Sequence, residues 1–407
     1  MSFTSRWGDV YLASAARGIS TCGDFLAATA LALALQQAGA GGTAVAALLL
    51  AASLPLVLLA PVTGRIADRY DSRLILIAAG LAQAAVCLGL AVARQPVVII
   101  VLVALLACGL AVTQPTLSAL LPEMVRPADL ARASGVNQTA GSLGMLLAPA
   151  LAGILVGQFG TRVPLLVDAV SYLSLVAAGL LIRTRRNTRG RRPAATAAPD
   201  AVRAGPGWSL RADRLLAAAA AAVAVVVGAV GAINVIDVFF VRESLAASTT
   251  VYGVVGAAWT AGMLAGAVLF GRLGHRAGHP GRLVRGMLLV LAGMCATVLA
   301  AATVGHALLL VPLWLLGGAC NGGLNVFISV VVADRVPPAA RGRAWAVLGA
   351  VIQGAGMVGF LLGGVLVDRF DPRPLVAAAG AAGLVAVLGC TPFVRRALRR
   401  EADPARR

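Results

Sequence analysis

The chain has 407 residues, 59% of them hydrophobic and 12% charged, with a mean hydropathy of +0.90. A soluble chain carries about 25% charged residues, so the water-soluble enzyme classes are disfavoured at the outset. The net charge is +18 and all 34 basic residues are arginine; in a polar chain this would suggest a nucleic-acid partner, so the placement of the arginines decides its meaning.

Met1 to Arg17 lacks an apolar core followed by a small-residue cleavage site, so no cleavable signal peptide is expected and the first span serves as a signal anchor. Twelve apolar runs then follow, near 18–37, 43–63, 74–93, 96–117, 134–157, 163–182, 214–241, 249–270, 283–304, 306–333, 344–367 and 374–393. Each matches the length of about 20 residues that a bilayer-crossing helix needs. Transmembrane barrel strands would instead alternate apolar and polar residues. The expected fold class is an all-α membrane protein with twelve transmembrane helices.

Positive residues collect on the cytoplasmic side of membrane proteins. With the N-terminus inside, 29 of the 34 arginines fall in inside segments, nine of them between residues 183 and 214. Only Arg94, Arg162, Arg242, Arg369 and Arg373 fall outside. Both termini are therefore expected to be cytoplasmic, and topology rather than a polyanion explains the charge. The six cysteines lie inside apolar runs without CxxC spacing, so they read as small packing residues rather than as a disulfide or metal framework.

The Arg-, Ala-, Pro- and Gly-rich stretch around 184–213 interrupts the hydrophobic rhythm. It divides the chain into an N-terminal six-helix bundle (1–183), a cytoplasmic Arg-rich linker (184–213), a C-terminal six-helix bundle (214–394) and a basic cytoplasmic tail (395–407). The halves echo one another. Gly64-Arg-Ile-Ala-Asp68-Arg69 returns as Gly271-Arg-Leu-Gly-His275-Arg276 at an offset of 207, and Val125-Arg-Pro-Ala-Asp-Leu-Ala-Arg-Ala133 as Val336-Pro-Pro-Ala-Ala-Arg-Gly-Arg-Ala344 at an offset of 211. Parallel six-helix repeats with a substrate site between the halves are one recurring plan of secondary transporters.

Over nearly its whole length the sequence resembles the major facilitator superfamily. The loop after the second span, Gly64-Arg-Ile-Ala-Asp68-Arg69-Tyr-Asp71-Ser-Arg73, is similar to that family's cytoplasmic signature, with Asp71 in place of its usual second glycine. That form resembles the branch containing the enterobactin exporter and macrolide efflux proteins. Gly23-Asp24 and the stretch from Pro115 through Pro122-Glu123 to Asn137-Gln138 are similar to it as well.

By this resemblance Gly64, Asp68, Arg69 and Arg73 form a cytoplasmic gating latch, against a plainer reading as a topology determinant with a local ion pair. His275 stands at the acid position of the second copy, so the latch is expected to be asymmetric. Gly144, Pro149 and Gly153 in the fifth span resemble the helix motif of antiporter members; read physically, they form a packing seam of small residues with a proline kink.

Carboxylates within spans are expensive and mark ion pathways. Asp24, Asp168 and Asp237 are the proton-coupling candidates, against a structural reading in which each makes an interhelical hydrogen bond. Asp24 is expected deepest, with Asp168 and Asp237 nearer the outer ends, where water reaches them. The fourth span holds no Arg from Val97 to Leu121, which removes a relay partner familiar in proton-linked exporters and leaves the coupling ion open.

Gln114, Tyr172, Asn234, Trp259, Asn325 and Gln353 are candidates for a weakly polar substrate chamber without a mid-span Arg. No catalytic site, cofactor or metal site is expected, and the chain reads as no enzyme. The expected function is export of small lipophilic or amphiphilic molecules of drug, antibiotic or siderophore type by proton antiport with alternating access. Its partners are the substrate, protons and the lipid bilayer, with no nucleic acid, and a monomer in a bacterial cytoplasmic membrane is implied. An uptake permease or uniporter of the same fold is the first alternative, and a non-transporting receptor or scaffold the second.

Overall fold

A computed structural model describes residues 5–184, 213–274 and 280–402. Most of the linker, His275 and residues 403–407 lie outside the described residues, as do the surroundings of Gly64 and the side chain of Asp68 within α2. Among the described residues the first half contains α1 (Trp7–Gln37), α2 (Gly41–Arg69), α3 (Ser72–Val92), α4 (Pro96–Met124), α5 (Leu130–Phe159) and α6 (Arg162–Leu181). The second contains α7 (Arg214–Gly231), α8 (Ile233–Phe239), α9 (Thr249–Gly274), α10 (Pro280–Ala301), α11 (Leu310–Arg335), α12 (Arg341–Val367) and α13 (Pro372–Ala402). Among the described residues twelve segments are long and apolar enough to cross a membrane, with α7, α8 and the following turn counting as one.

Local chemistry sets several boundaries. Asp71 caps α3, its Oδ1 accepting from the Arg73 amide at 2.9 Å, which gives the departure from the family's loop pattern a physical reason. Proline starts α4, α10 and α13, where the missing amide hydrogen costs nothing. Gly160 ends α5 at φ +74°, a conformation that β-carbons disfavour.

Two expected spans differ from what is observed. The first was expected to begin at residue 18, but α1 begins at Trp7 and takes in Arg17. Polar residues depress the hydropathy there, yet each sits in a shaped setting. Asp9 accepts from the backbone and hydroxyl of Thr184 at 2.9 and 2.6 Å, and Arg17 lies against Gly141 of α5. The seventh span is broken: α7 and α8 meet at Gly231–Ala232, and Phe240–Ser244 forms a π-helical turn.

The chain forms two compact units, Met1–Arg192 with Ser248–Ala257, and Pro193–Ala247 with Ala258–Arg407. Inside the first, α1 packs on α5 and α6, and α3 on α6 and α4. Inside the second, α7 packs on α12 and α13, and α10 on α11 and α13. Glycines permit the closest crossings. A Cβ on Gly318 or Gly322 of α11 would stand 2.0 Å from the carbonyl oxygens of Trp259 and Met263 on α9, and Gly262 and Gly266 face α11 in return. Lipid gives helices no hydrophobic drive to associate, so backbone approach through small residues supplies the contact.

At the start of α7, Asp213 caps the helix by accepting from Leu216 N at 3.0 Å. It also holds Arg335 at the end of α11 in a two-point ion pair at 2.8 and 3.1 Å, with both side chains 15% exposed.

Candidate functional site: a polar cluster inside the first bundle

Asp24 lies on α1 seven residues, about two turns, beyond Arg17. Gly23 beside it faces α6, and a Cβ there would fall 2.2 Å from both Asp168 Oδ1 and Ser171 Oγ. Glycine therefore opens the space that two α6 side chains occupy. Tyr172 donates its hydroxyl to Asp24 Oδ1. Asp168 accepts from the Cys87 thiol of α3 at 3.1 Å and from the Ser171 hydroxyl at 3.0 Å. Two carboxylates, a phenol, a thiol and a hydroxyl thus join α1, α3 and α6.

Burying such groups without partners would cost several kcal/mol, and the donors offset part of that cost. Asp168 and Tyr172 are 0% exposed, whereas Asp24 keeps partial exposure. The cluster therefore has one enclosed carboxylate with two donors and one more accessible carboxylate with a phenol donor. Among the described residues no group of three or more His, Cys, Asp and Glu is placed to hold a metal ion.

Three expectations are corrected by this geometry. Asp168 is sealed inside the bundle rather than reached by water, because α1 and α3 cover it. Tyr172, expected on a substrate wall, is turned into the bundle toward Asp24. Cys87, expected as a packing residue, is a hydrogen-bond donor. Ser171 escaped notice altogether, although a signal was present: Asp168, Ser171, Tyr172 and Leu175 are all buried on α6 at the spacing of a single helix face.

Arg17 was also missed as a bundle residue. Its Nε is buried without a hydrogen-bond partner among the described residues.

The other candidates are dispersed. Asp237 lies on α8 in the second unit, its Oδ1 buried without a partner among the described residues, and the π-helical turn follows at once. Such turns recur at functional sites. Asn234 donates to the Gly231 carbonyl at 3.2 Å and Asn325 to the Asn321 carbonyl at 3.0 Å, both on exposed positions. Gln353 is exposed and Gln114 half-buried. Trp259 packs edge-on to Trp314, with ring centroids 6.2 Å apart.

Of the helix-motif residues, Gly144 meets α1 at the Gly18 carbonyl. Within the first unit, Gly153 meets Thr249 and Gly253 at the start of α9. Arg69 ends α2 in an exposed position and Arg73 sits in the first turn of α3.

Residues 10–404 match the family described as transmembrane secretion effector. Over 364 residues the chain is 25% identical to YfiS of Bacillus subtilis (strain 168), an uncharacterised MFS-type transporter, covering 87% of this chain and 85% of that protein. Among solved structures, the nucleoside transporter NupG aligns with a TM-score of 0.77 at 15% identity, covering 95% of this chain and 98% of that one. A bacterial homologue of the iron transporter ferroportin, in its inward-facing state, aligns with a TM-score of 0.75 at 17% identity, over 96% and 100% of the two chains. At these identities the structural likeness speaks for the fold alone, which is that of major facilitator transporters.

Proposed function

The chain belongs to the transmembrane secretion effector family of the major facilitator superfamily, and from that premise we propose that it is a secondary-active exporter of small lipophilic or amphiphilic molecules, driven by proton antiport. The family description names secretion, which favours the outward direction. The arginine distribution favours cytoplasmic termini in a bacterial cytoplasmic membrane, with transport by alternating access. The chamber candidates Gln114, Asn234, Trp259, Asn325 and Gln353 are neutral, which suits a weakly polar cargo. No observation calls for a second subunit, and the proposed working unit is the monomer.

The observation that carries the proton-coupled reading is the Asp24–Tyr172 pair beside the enclosed Asp168. In this proposal Asp24 takes up and releases the proton, because it is the more exposed carboxylate of the cluster while its donor, Tyr172, is fully buried. Asp168 is the positioning residue. Bonded to Ser171 and Cys87, it keeps α6 and α3 in register so that Tyr172 meets Asp24. A proton shifts the balance between inward and outward states only if it binds the two with different affinity; making and breaking the Tyr172 bond supplies that difference. Gly64, Asp68, Arg69 and Arg73 close the cytoplasmic side when the outer side opens.

The test is export of lipophilic dyes from proteoliposomes or everted vesicles under an imposed pH gradient. Asp24→Asn is expected to abolish accumulation against the gradient while dye binding persists. Undiminished proton-driven transport by Asp24→Asn would refute the coupling role, and export insensitive to a protonophore would refute antiport itself.

A further inference from the structure

The far end of the first bundle, opposite the N-terminus of α1, holds a cavity of about 290 Å³. Its lining includes Leu31, Leu90, Ile99 and Leu165 together with two arginines, Arg94 and Arg162, and contains no Asp or Glu. Arg162 opens α6 and donates Nε to the Ala91 carbonyl near the end of α3 at 3.1 Å. A guanidinium has four further N–H donors in a planar fork suited to a phosphate. These arginines are two of the five on the side of the membrane where arginine is scarce by sequence count, so retention on the cytoplasmic side does not explain them.

Along α6 below Arg162, Leu166, Val170 and Leu173 fall on the same helix face and are 43%, 64% and 46% exposed. A cationic niche thus sits at the head of an uncovered apolar stripe. A soluble phosphate would use only the arginines; a phospholipid uses both parts, headgroup on the guanidinium groups and acyl chain along the helix. We infer that Arg94 and Arg162 form a site for an anionic phospholipid in the leaflet at this end of the bundle.

The second half supplies an internal comparison. At the repeat offset of 211, Arg162 corresponds to Arg373 and Ala91 to Ala302. Arg373 donates to the carbonyls of Ala302 and Val304 at 3.0 and 2.8 Å and lies 5.7 Å over the Phe240 ring. It too borders a cavity, but Asp371 stands where the first half has Gly160, supplying a nearby negative charge. The same helix-end bond is therefore present in both halves. The second arginine is confined to the first half, where Arg94 stands in place of the repeat's Gly305, and only that half holds the lipid.

The site is independent of what the protein exports. It is tested on the detergent-purified full-length chain by native mass spectrometry, titrating phosphatidylglycerol, phosphatidylcholine and glycerol 3-phosphate. A basic residue near a membrane surface contributes about fivefold to binding an anionic lipid. Arg94→Gln with Arg162→Gln is accordingly expected to weaken phosphatidylglycerol binding by roughly 30-fold and leave phosphatidylcholine adducts unchanged, with Arg373→Gln changing either by less than about twofold. Arg94→Gln alone leaves the Arg162–Ala91 bond intact and is expected to lose about fivefold, which keeps the test valid if the double variant misfolds. Equal phosphatidylglycerol binding by these variants and the parent would overturn the site, as would an equal loss of both lipids. Displacement of phosphatidylglycerol by glycerol 3-phosphate would overturn the lipid assignment in favour of a soluble phosphate.

Discussion

Gly23→Ala adds one methyl group at the point where α1 meets the buried polar cluster. The new carbon would fall 2.2 Å from Asp168 Oδ1 and from Ser171 Oγ, and 2.9 Å from Ser171 Cβ. Carbon and oxygen in contact prefer about 3.3 Å or more, so something must move by roughly 1 Å. If the carboxylate swings, it leaves the Ser171 donor at 3.0 Å or the Cys87 donor at 3.1 Å. One hydrogen bond to a charged acceptor is worth about 1.5–3 kcal/mol; if the helices part instead, overpacking costs about 1–3 kcal/mol. Either route gives about 1–3 kcal/mol, or roughly a 5- to 150-fold rise in local opening.

Cys87 reports that opening, since it is buried and takes part in the cluster. With Cys22, Cys108, Cys295, Cys320 and Cys390 replaced by alanine, maleimide labelling of Cys87 should accelerate by about that factor when reclosing is fast. Gly89→Ala, two residues along α3, is the control, because its Cβ would meet only Leu102 methyl groups at 3.6 and 3.9 Å. Labelling of the Gly23→Ala protein at a rate within about threefold of the Gly89→Ala protein would refute the packing argument.

Cys87→Ser should keep a donor for Asp168 and stay within about 1 kcal/mol of the parent, while Cys87→Ala should lose about 1–3 kcal/mol; equal stability of the two in thermal unfolding would remove the bond's role. Gly318→Ala and Gly322→Ala place a carbon 2.0 Å from backbone carbonyl oxygens and should each destabilise by about 1–3 kcal/mol, whereas Gly354→Ala, with nothing within 4 Å of its Cβ, should not. Asp213→Asn retains an N-cap acceptor for Leu216 but removes the charge facing Arg335. A double-mutant cycle with Arg335→Gln is expected to give a coupling of about 1 kcal/mol at low salt, falling as salt rises. A coupling that does not change with salt would mean the pair is held by shape rather than by charge.

Much of the fold was legible because bilayer physics is severe. Every span must close its own backbone hydrogen bonds and expose apolar side chains, so apolar runs mark the helices. The reading failed where that rule relaxes. The first three turns of α1 carry Asp9 and Arg17, which hydropathy places outside a span; Thr184 and the Gly141 surface accommodate them inside the fold. The break at Gly231–Ala232 and the π-helical turn at Phe240 are likewise invisible to hydropathy, because composition does not change there.

The candidate site was legible only as a list. Asp24, Asp168 and Asp237 stood out by cost, since each is a carboxylate in an apolar run. Their partners did not, because tyrosine, serine and cysteine are cheap in a membrane helix and occur there for many reasons. Asp24 and Tyr172 are separated by 148 positions, and Cys87 and Asp168 by 81, so no local spacing connects them.

The amino-acid sequence by itself determined that this chain is a twelve-span helical membrane protein with an internal repeat and a major facilitator signature. These follow from one-dimensional quantities: run length, arginine count and motif order. Only the tertiary structure decided which carboxylate is fully buried and which is partly exposed, that Gly23 makes the room that Asp168 and Ser171 occupy, and that Arg162 and Arg373, equivalent in the repeat, differ in their surroundings. Burial and pairing depend on which helices meet, and in a bilayer that choice is made by small residues and buried donors acting across the bundle. Hydropathy, which sorts segments and not faces, carries none of it.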